Sequence, residues 1–170
     1  MRLFISINFD DRTKENILSV QRRLKNLGKG RFTSPENLHL TLAFLGEVPK
    51  ERISELKALM DGIDVSEMQL TFCEIGAFRK ESELWWIGIR QNEKLSQLQA
   101  ELVAKLKVAG FTPDSKRFKP HITLAREMHI GRVEQSDILS QNFSCRASYI
   151  SLMLSNRSDG RLTYTEVYRR

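Results

Sequence analysis

The chain has 170 residues, 41% of them hydrophobic and 28% charged, with a formal net charge of +6. That balance fits one globular domain and excludes a disordered chain. No stretch approaches the roughly 20 apolar residues needed to span a bilayer. The opening MRLFISINFDDR reads as a first strand rather than a signal peptide, so a cytoplasmic location is expected. The excess of Lys and Arg favours an anionic partner. Cys73 and Cys145 stand far apart outside any CxxC spacing and are expected to be reduced.

In chain order, residues 2–9 alternate apolar and polar as a half-buried strand does. A helix is expected from Asp11 to Leu27, with Val20, Leu24 and Leu27 on its buried stripe and Gly28 as a left-handed C′ stop. The strand His39-Leu40-Thr41-Leu42-Ala43 follows. Pro49 opens a second helix, with Ile53, Leu56 and Leu59 facing inward. Residues 68–78 and 84–90 read as strands joined by the charged turn Arg79-Lys80-Glu81-Ser82-Glu83. Asn92 is a plausible N-cap for a helix ending near Ala109, with Gly110 beyond it. Then come the strand His121-Ile122-Thr123-Leu124-Ala125 and a short helix over 134–140. Residues 143–154 and 161–168 form a closing hairpin around Asn156, Ser158, Asp159 and Gly160.

The two HxTLA strands are 82 residues apart, and the same offset aligns the strand, the helix and the glycine that precede each of them. We read a duplication with near-two-fold symmetry, its halves running approximately over 1–80 and 83–170 within a single bilobal domain. The expected fold is α+β, with two antiparallel-rich sheets facing a central cleft and the helices outside.

On a strand, His39 and Thr41 share one face and Leu40 and Leu42 the other; His121 and Thr123 repeat this. If the symmetry joins the two polar faces, one cleft holds two imidazoles and two hydroxyls. That set suits hydrolysis of a phosphate ester. Histidine titrates near neutrality and serves as acid or base, and threonine hydroxyls can donate to phosphate oxygens. A single HxT carries almost no information, and threonine is common in strands; two copies in one register carry much more. No acidic residue flanks either histidine closely and no HxH or HExxH spacing occurs, so no metal is expected. His129 has no repeat partner and reads as a surface or strand-end residue. Lys116, Arg117 and Lys119 precede the second motif, Arg126 follows it, and Arg31 and Phe32 precede the first. These cations could hold an anionic backbone, with Phe32 or Phe118 stacking a terminal base.

The pair of HxTx motifs, with the segments MRLFISI, RFTSPENLHLTLAFLGEV, RFKPHITLAR and LMLSNRSDGRLTYTEVYRR, resembles the two-histidine (2H) phosphoesterase superfamily. Within it the chain is most similar to the RNA 2′,3′-cyclic phosphodiesterase branch, historically called 2′-5′ RNA ligase. The resemblance covers nearly the whole chain. It implies hydrolysis of a terminal 2′,3′-cyclic phosphate to a 2′-phosphomonoester without metal or other cofactor. It also implies that His39 donates a proton, that His121 accepts one, and that Thr41 and Thr123 bind the phosphate. Ser6 and Asn8 are more polar than is usual in that branch. The expected partner is an RNA ending in a cyclic phosphate, or a cyclic-phosphate nucleotide, and a monomer is the simplest state. Two other readings remain open: 2′-5′ ligation or 2′-5′ linkage cleavage, and an RNA- or nucleotide-binding module without catalysis.

Overall fold

The computed structural model describes residues 1–79, 83–114, 117–158 and 160–170. Lys116, and the turn residues Lys80, Glu81, Ser82 and Asp159, lie outside the described residues. The architecture is α+β, with two antiparallel sheets and four helices. The four-stranded sheet has the order β3 (His39–Glu47), β1 (Arg2–Asn8), β8 (Ser151–Ser158), β9 (Arg161–Arg169). The five-stranded sheet runs β2 (Arg31–Phe32), β6 (His121–Arg126), β5 (Glu83–Ile89), β4 (Met68–Arg79), β7 (Phe143–Ala147).

Each element follows from its local sequence. Leu3, Ile5 and Ile7 of β1 point into the core and are at most 1% exposed. Helix α1 (Asp11–Leu27) starts where Asp10 Oδ1 accepts Thr13 N–H at 2.8 Å. Helix α3 (Glu93–Val108) starts where Asn92 Oδ1 accepts Leu95 N–H at 2.9 Å. Both caps satisfy a donor that the first helical turn leaves unpaired. Asp10 and Asn92 stand in the 82-residue register. Helix α2 (Ile53–Asp61) is preceded by a 3₁₀ turn, and α4 (Gln135–Ile138) is a single turn. No helix among the described residues is long and apolar enough to cross a membrane.

The helices cross between the sheets. α1 follows β1 but packs on α4 and β7 at the five-stranded sheet; α3 follows β5 but packs on β3 and α2 at the four-stranded one. Strands interleave as well. β4, from the first half of the sequence, completes the sheet of β5 and β6, while β8 and β9, from the second half, complete that of β1 and β3. Side chains of both sheets join in one continuous core. The sheets are therefore not the sequence halves, although each contains one HxT strand.

Several local expectations are corrected. Residues 143–154 are two strands in different sheets: β7 pairs with β4, and β8 with β1 and β9. The chain changes sheet between Ala147 and Ser151, which alternation alone does not reveal. Leu27 is 39% exposed, and the buried stripe of α1 runs through Ile17, Val20, Gln21 and Leu24 instead. In α2 the buried pair is Leu56 and Met60, with Ile53 and Leu59 half-buried. Gly110 has the expected positive φ of 75°, but Gly28 is extended at φ 179°. Gly28 answers to crowding: a Cβ there would run into the Ile130 side chain.

Candidate active site

β3 and β6 approach each other across the gap between the sheets. Their first six residues show one pattern: half-buried, buried, half-buried, buried, buried, exposed. The half-buried positions are His39, Thr41, His121 and Thr123. All four line one cavity of about 1210 Å³.

Each strand is bulged at the same place. Ile5 pairs with Ala43 and Ser6 with Thr41, leaving Leu42 without a partner across the ladder. Trp85 pairs with Ala125 and Trp86 with Thr123, leaving Leu124 in the same position. A bulge frees a carbonyl and re-phases the side chains beyond it. Glutamines from the crossed helices take the freed carbonyls. Gln99 Nε2 donates to Leu42 O at 3.3 Å, and Gln21 Nε2 donates to Leu124 O at 2.9 Å and Thr33 O at 2.8 Å. Beyond the bulges, Phe44 and Arg126 turn back toward the cavity and line it.

The two imidazoles are held alike. His39 Nδ1 lies 2.8 Å from Asn37 O, and His121 Nδ1 lies 2.6 Å from Lys119 O. A carbonyl can only accept, so Nδ1 carries the proton in both neutral rings and Nε2 carries the lone pair. Thr41 Oγ1 is 3.0 Å from His39 Nε2 and donates to it in that tautomer. Aromatic rings brace the imidazoles. Phe4 lies 4.8 Å from His39 and Tyr164 stands edge-on at 5.1 Å; Trp86 lies 6.0 Å from His121 and Phe78 stands edge-on at 5.1 Å. Phe4 and Trp86 occupy equivalent repeat positions. The Trp86 indole lies flat over Gly76 and Gly88, where a Cβ would collide with it, and Lys119 Nζ sits 4.0 Å from its centre.

Burial sets the electrostatics. It lowers the His39 pKa to about 4; the hydrogen bond to Asn37 opposes this, and the charges of His121, Arg126 and Lys14 reinforce it. Burial also lowers His121, against the hydrogen bond to Lys119 O and with the charges of Lys119 and Arg126. Both rings are neutral at pH 7 in the free protein, and each can accept a proton at Nε2.

Of the residues singled out from sequence, His39, Thr41, His121, Thr123, Arg31, Arg117, Phe118 and Arg126 all line the cavity. Phe32 does not. It follows Arg31 in a two-residue strand, so alternation turns it away, and it packs against the core with Lys25 Nζ 5.9 Å from its ring. Arg31 is paired with Glu127 at 2.8 Å and Lys119 with Glu74 at 3.4 Å. Ser6 and Asn8 join a polar network with Glu166 and Ser151, in which Ser151 Oγ donates to Glu166 Oε2 at 2.7 Å. Sequence reasoning missed Phe4, Trp86, Phe44, Phe78 and Tyr164. The repeat offset could have paired Phe4 with Trp86. Phe78 and Tyr164 come from β4 and β9, which that alignment did not reach. Among the described residues, no three His, Cys, Asp or Glu side chains stand together in ligating positions.

Taken together, two neutral imidazoles with free Nε2 atoms, two hydroxyls and several cations around one open space can bind an anion and move protons on either side of it. Comparison with known proteins gives this geometry a lineage. The model of the LigT-like phosphoesterase family matches twice, over residues 7–86 and 87–164. An RNA 2′,3′-cyclic phosphodiesterase of Archaeoglobus fulgidus is 33% identical over 128 residues, 74% of this chain and 72% of that protein. The Escherichia coli protein of the same name is 31% identical over 169 residues, 99% of this chain and 94% of its own. The crystal structure of E. coli LigT complexed with 3′-AMP superposes with a TM-score of 0.86 at 30% identity, covering 99% of this chain and 96% of that one. The chain belongs to the LigT-like phosphoesterase family.

Proposed function

We propose that this protein is an RNA 2′,3′-cyclic phosphodiesterase that opens a terminal cyclic phosphate to a 2′-phosphomonoester, with His39 as general acid and His121 as general base. The relatives named above carry that activity in their names. The observation that carries the reading is the matched pair of imidazoles, each tied at Nδ1 to the carbonyl two residues back, with both Nε2 atoms left to a shared cavity.

In the proposed step, water attacks phosphorus from the His121 side and gives its proton to His121 Nε2. The bond from phosphorus to O3′ breaks, and the departing oxygen takes a proton from His39 Nε2. Thr41 and Thr123 donate to the non-bridging oxygens and centre the phosphorus between the rings. Arg117, Arg126 and Arg31 hold the RNA backbone, and Phe118 packs against the nucleotide. His39 must acquire the proton it donates. Its low pKa belongs to the empty site; an anionic phosphate a few ångströms away favours the charged imidazole and raises that value. Substrate binding thus loads the acid.

Incubating the protein with a short RNA ending in a 2′,3′-cyclic phosphate, then resolving the products, tests this. A 2′-phosphorylated end is expected. An unchanged RNA end, or a joined product of greater length, would overturn the reading.

A further inference from the structure

The two HxT strands build a site that is nearly its own mirror across the pseudo-two-fold, yet the proposed product demands one orientation. The histidines, threonines, anchoring carbonyls and bulges repeat on both walls. The repeat register breaks just beyond the bulges, where equivalent positions hold Phe44 on one wall and Arg126 on the other. Phe44 is 50% exposed, an unusual state for a phenylalanine, and it is exposed into the cavity. Its ring lies 5.9 Å from Phe4, which lies 4.8 Å from His39. The wall that carries the proposed acid therefore also carries an open aromatic face, and the opposite wall offers a guanidinium in its place.

We propose that Phe44 and Arg126 orient the substrate: the terminal base stacks on Phe44, and this decides which ester oxygen of the cyclic phosphate faces His39. The inference rests on the phosphodiesterase reading. When His39 protonates O3′, the nucleoside leans on the His39 wall, where Phe44 waits for its base. Turning the ribose over would present O2′ to His39 instead: water would still attack phosphorus, the bond to O2′ would break, and a 3′-phosphomonoester would result. That orientation carries the base away from Phe44 toward the wall of Arg126, which favours phosphate rather than a seat for the base. Stacking on an exposed aromatic ring is indifferent to base identity, so the device controls regiochemistry without selecting a sequence.

The test measures kcat/KM and the ratio of 2′- to 3′-phosphate product on a short RNA with a cyclic end. The proteins compared are the native chain, Phe44→Ala and Arg126→Phe, each checked for an unchanged melting transition. Phe44→Ala is expected to lose about 10- to 100-fold in kcat/KM, the range that stacking on one base supplies, and to release 3′-phosphate beside the 2′ product. Arg126→Phe, which adds a second platform, is expected to raise the 3′ share as well. An exclusively 2′ product from both variants overturns the inference while leaving the phosphodiesterase reading intact. No hydrolysis by the native chain overturns that reading itself.

Discussion

At the scale of single residues, the site depends on where protons sit. Replacing His39 or His121 with alanine removes the proposed acid or base and is expected to lower turnover by about 100-fold or more, read from initial rates on a cyclic-ended RNA. The same two rings make the fold sensitive to acid. An unfolded histidine titrates near 6.5, whereas burial holds folded His39 at about 4. Between these values the unfolded chain binds the extra proton, so stability is complete above pH 6.5 and declines as the pH falls toward 4. For His39 alone the loss is on the order of 3 kcal/mol. Denaturant melts at pH 7 and pH 4.5 should show it, and His39→Gln should narrow the difference between them. The histidines and threonines were legible in sequence because the motif occurs twice. Phe32 was misread because charge and ring looked alike as cleft residues, while a two-residue strand can send only one of them inward. Phe44 was hidden for the opposite reason: strict alternation puts it with Leu40 and Leu42, and only a bulge returns it to the face of His39.

At the scale of elements, that bulge creates a need that the helices meet. A carbonyl released from the ladder and buried must find a donor. Gln21 and Gln99 provide one from α1 and α3, each reaching the HxT strand of the other sheet. They are four residues out of the repeat register, about one helical turn, so the offset that pairs the strands does not pair the glutamines. Helix and strand periods located the elements well, and the N-cap at Asn92 was legible from its residue type. The link between helix and bulge was not, because neither glutamine belongs to a local pattern. Gln21→Leu keeps the volume but strands two carbonyls, those of Thr33 and Leu124. It should destabilise the protein by about 1–3 kcal/mol in a denaturant melt. Gln99, with one longer hydrogen bond and a partly open position, should tolerate the same change better.

At the scale of the whole molecule, the net charge of +6 acts through the cations that reach the cleft. The dependence of kcat/KM on salt should be steep for an RNA and shallow for a cyclic mononucleotide, since each backbone phosphate held contributes a slope of roughly −0.7 in log–log form. Arg126→Gln should flatten the RNA slope by about that amount. The two-lobed plan and its paired motifs could be read from the sequence. The exchange of strands between lobes could not, because hydrophobic pattern reports which face is buried and is silent on which sheet receives it. That exchange governs how the enzyme comes into being. β1, at residues 2–8, waits for β8, at residues 151–158, so its sheet stays open on one side until nearly all of the polypeptide has emerged from the ribosome. Contacts of such long range are slow to form. A nascent chain arrested midway therefore has no half-working precursor to fall back on, and a premature stop codon before residue 151 should yield material for the proteases rather than a feeble catalyst.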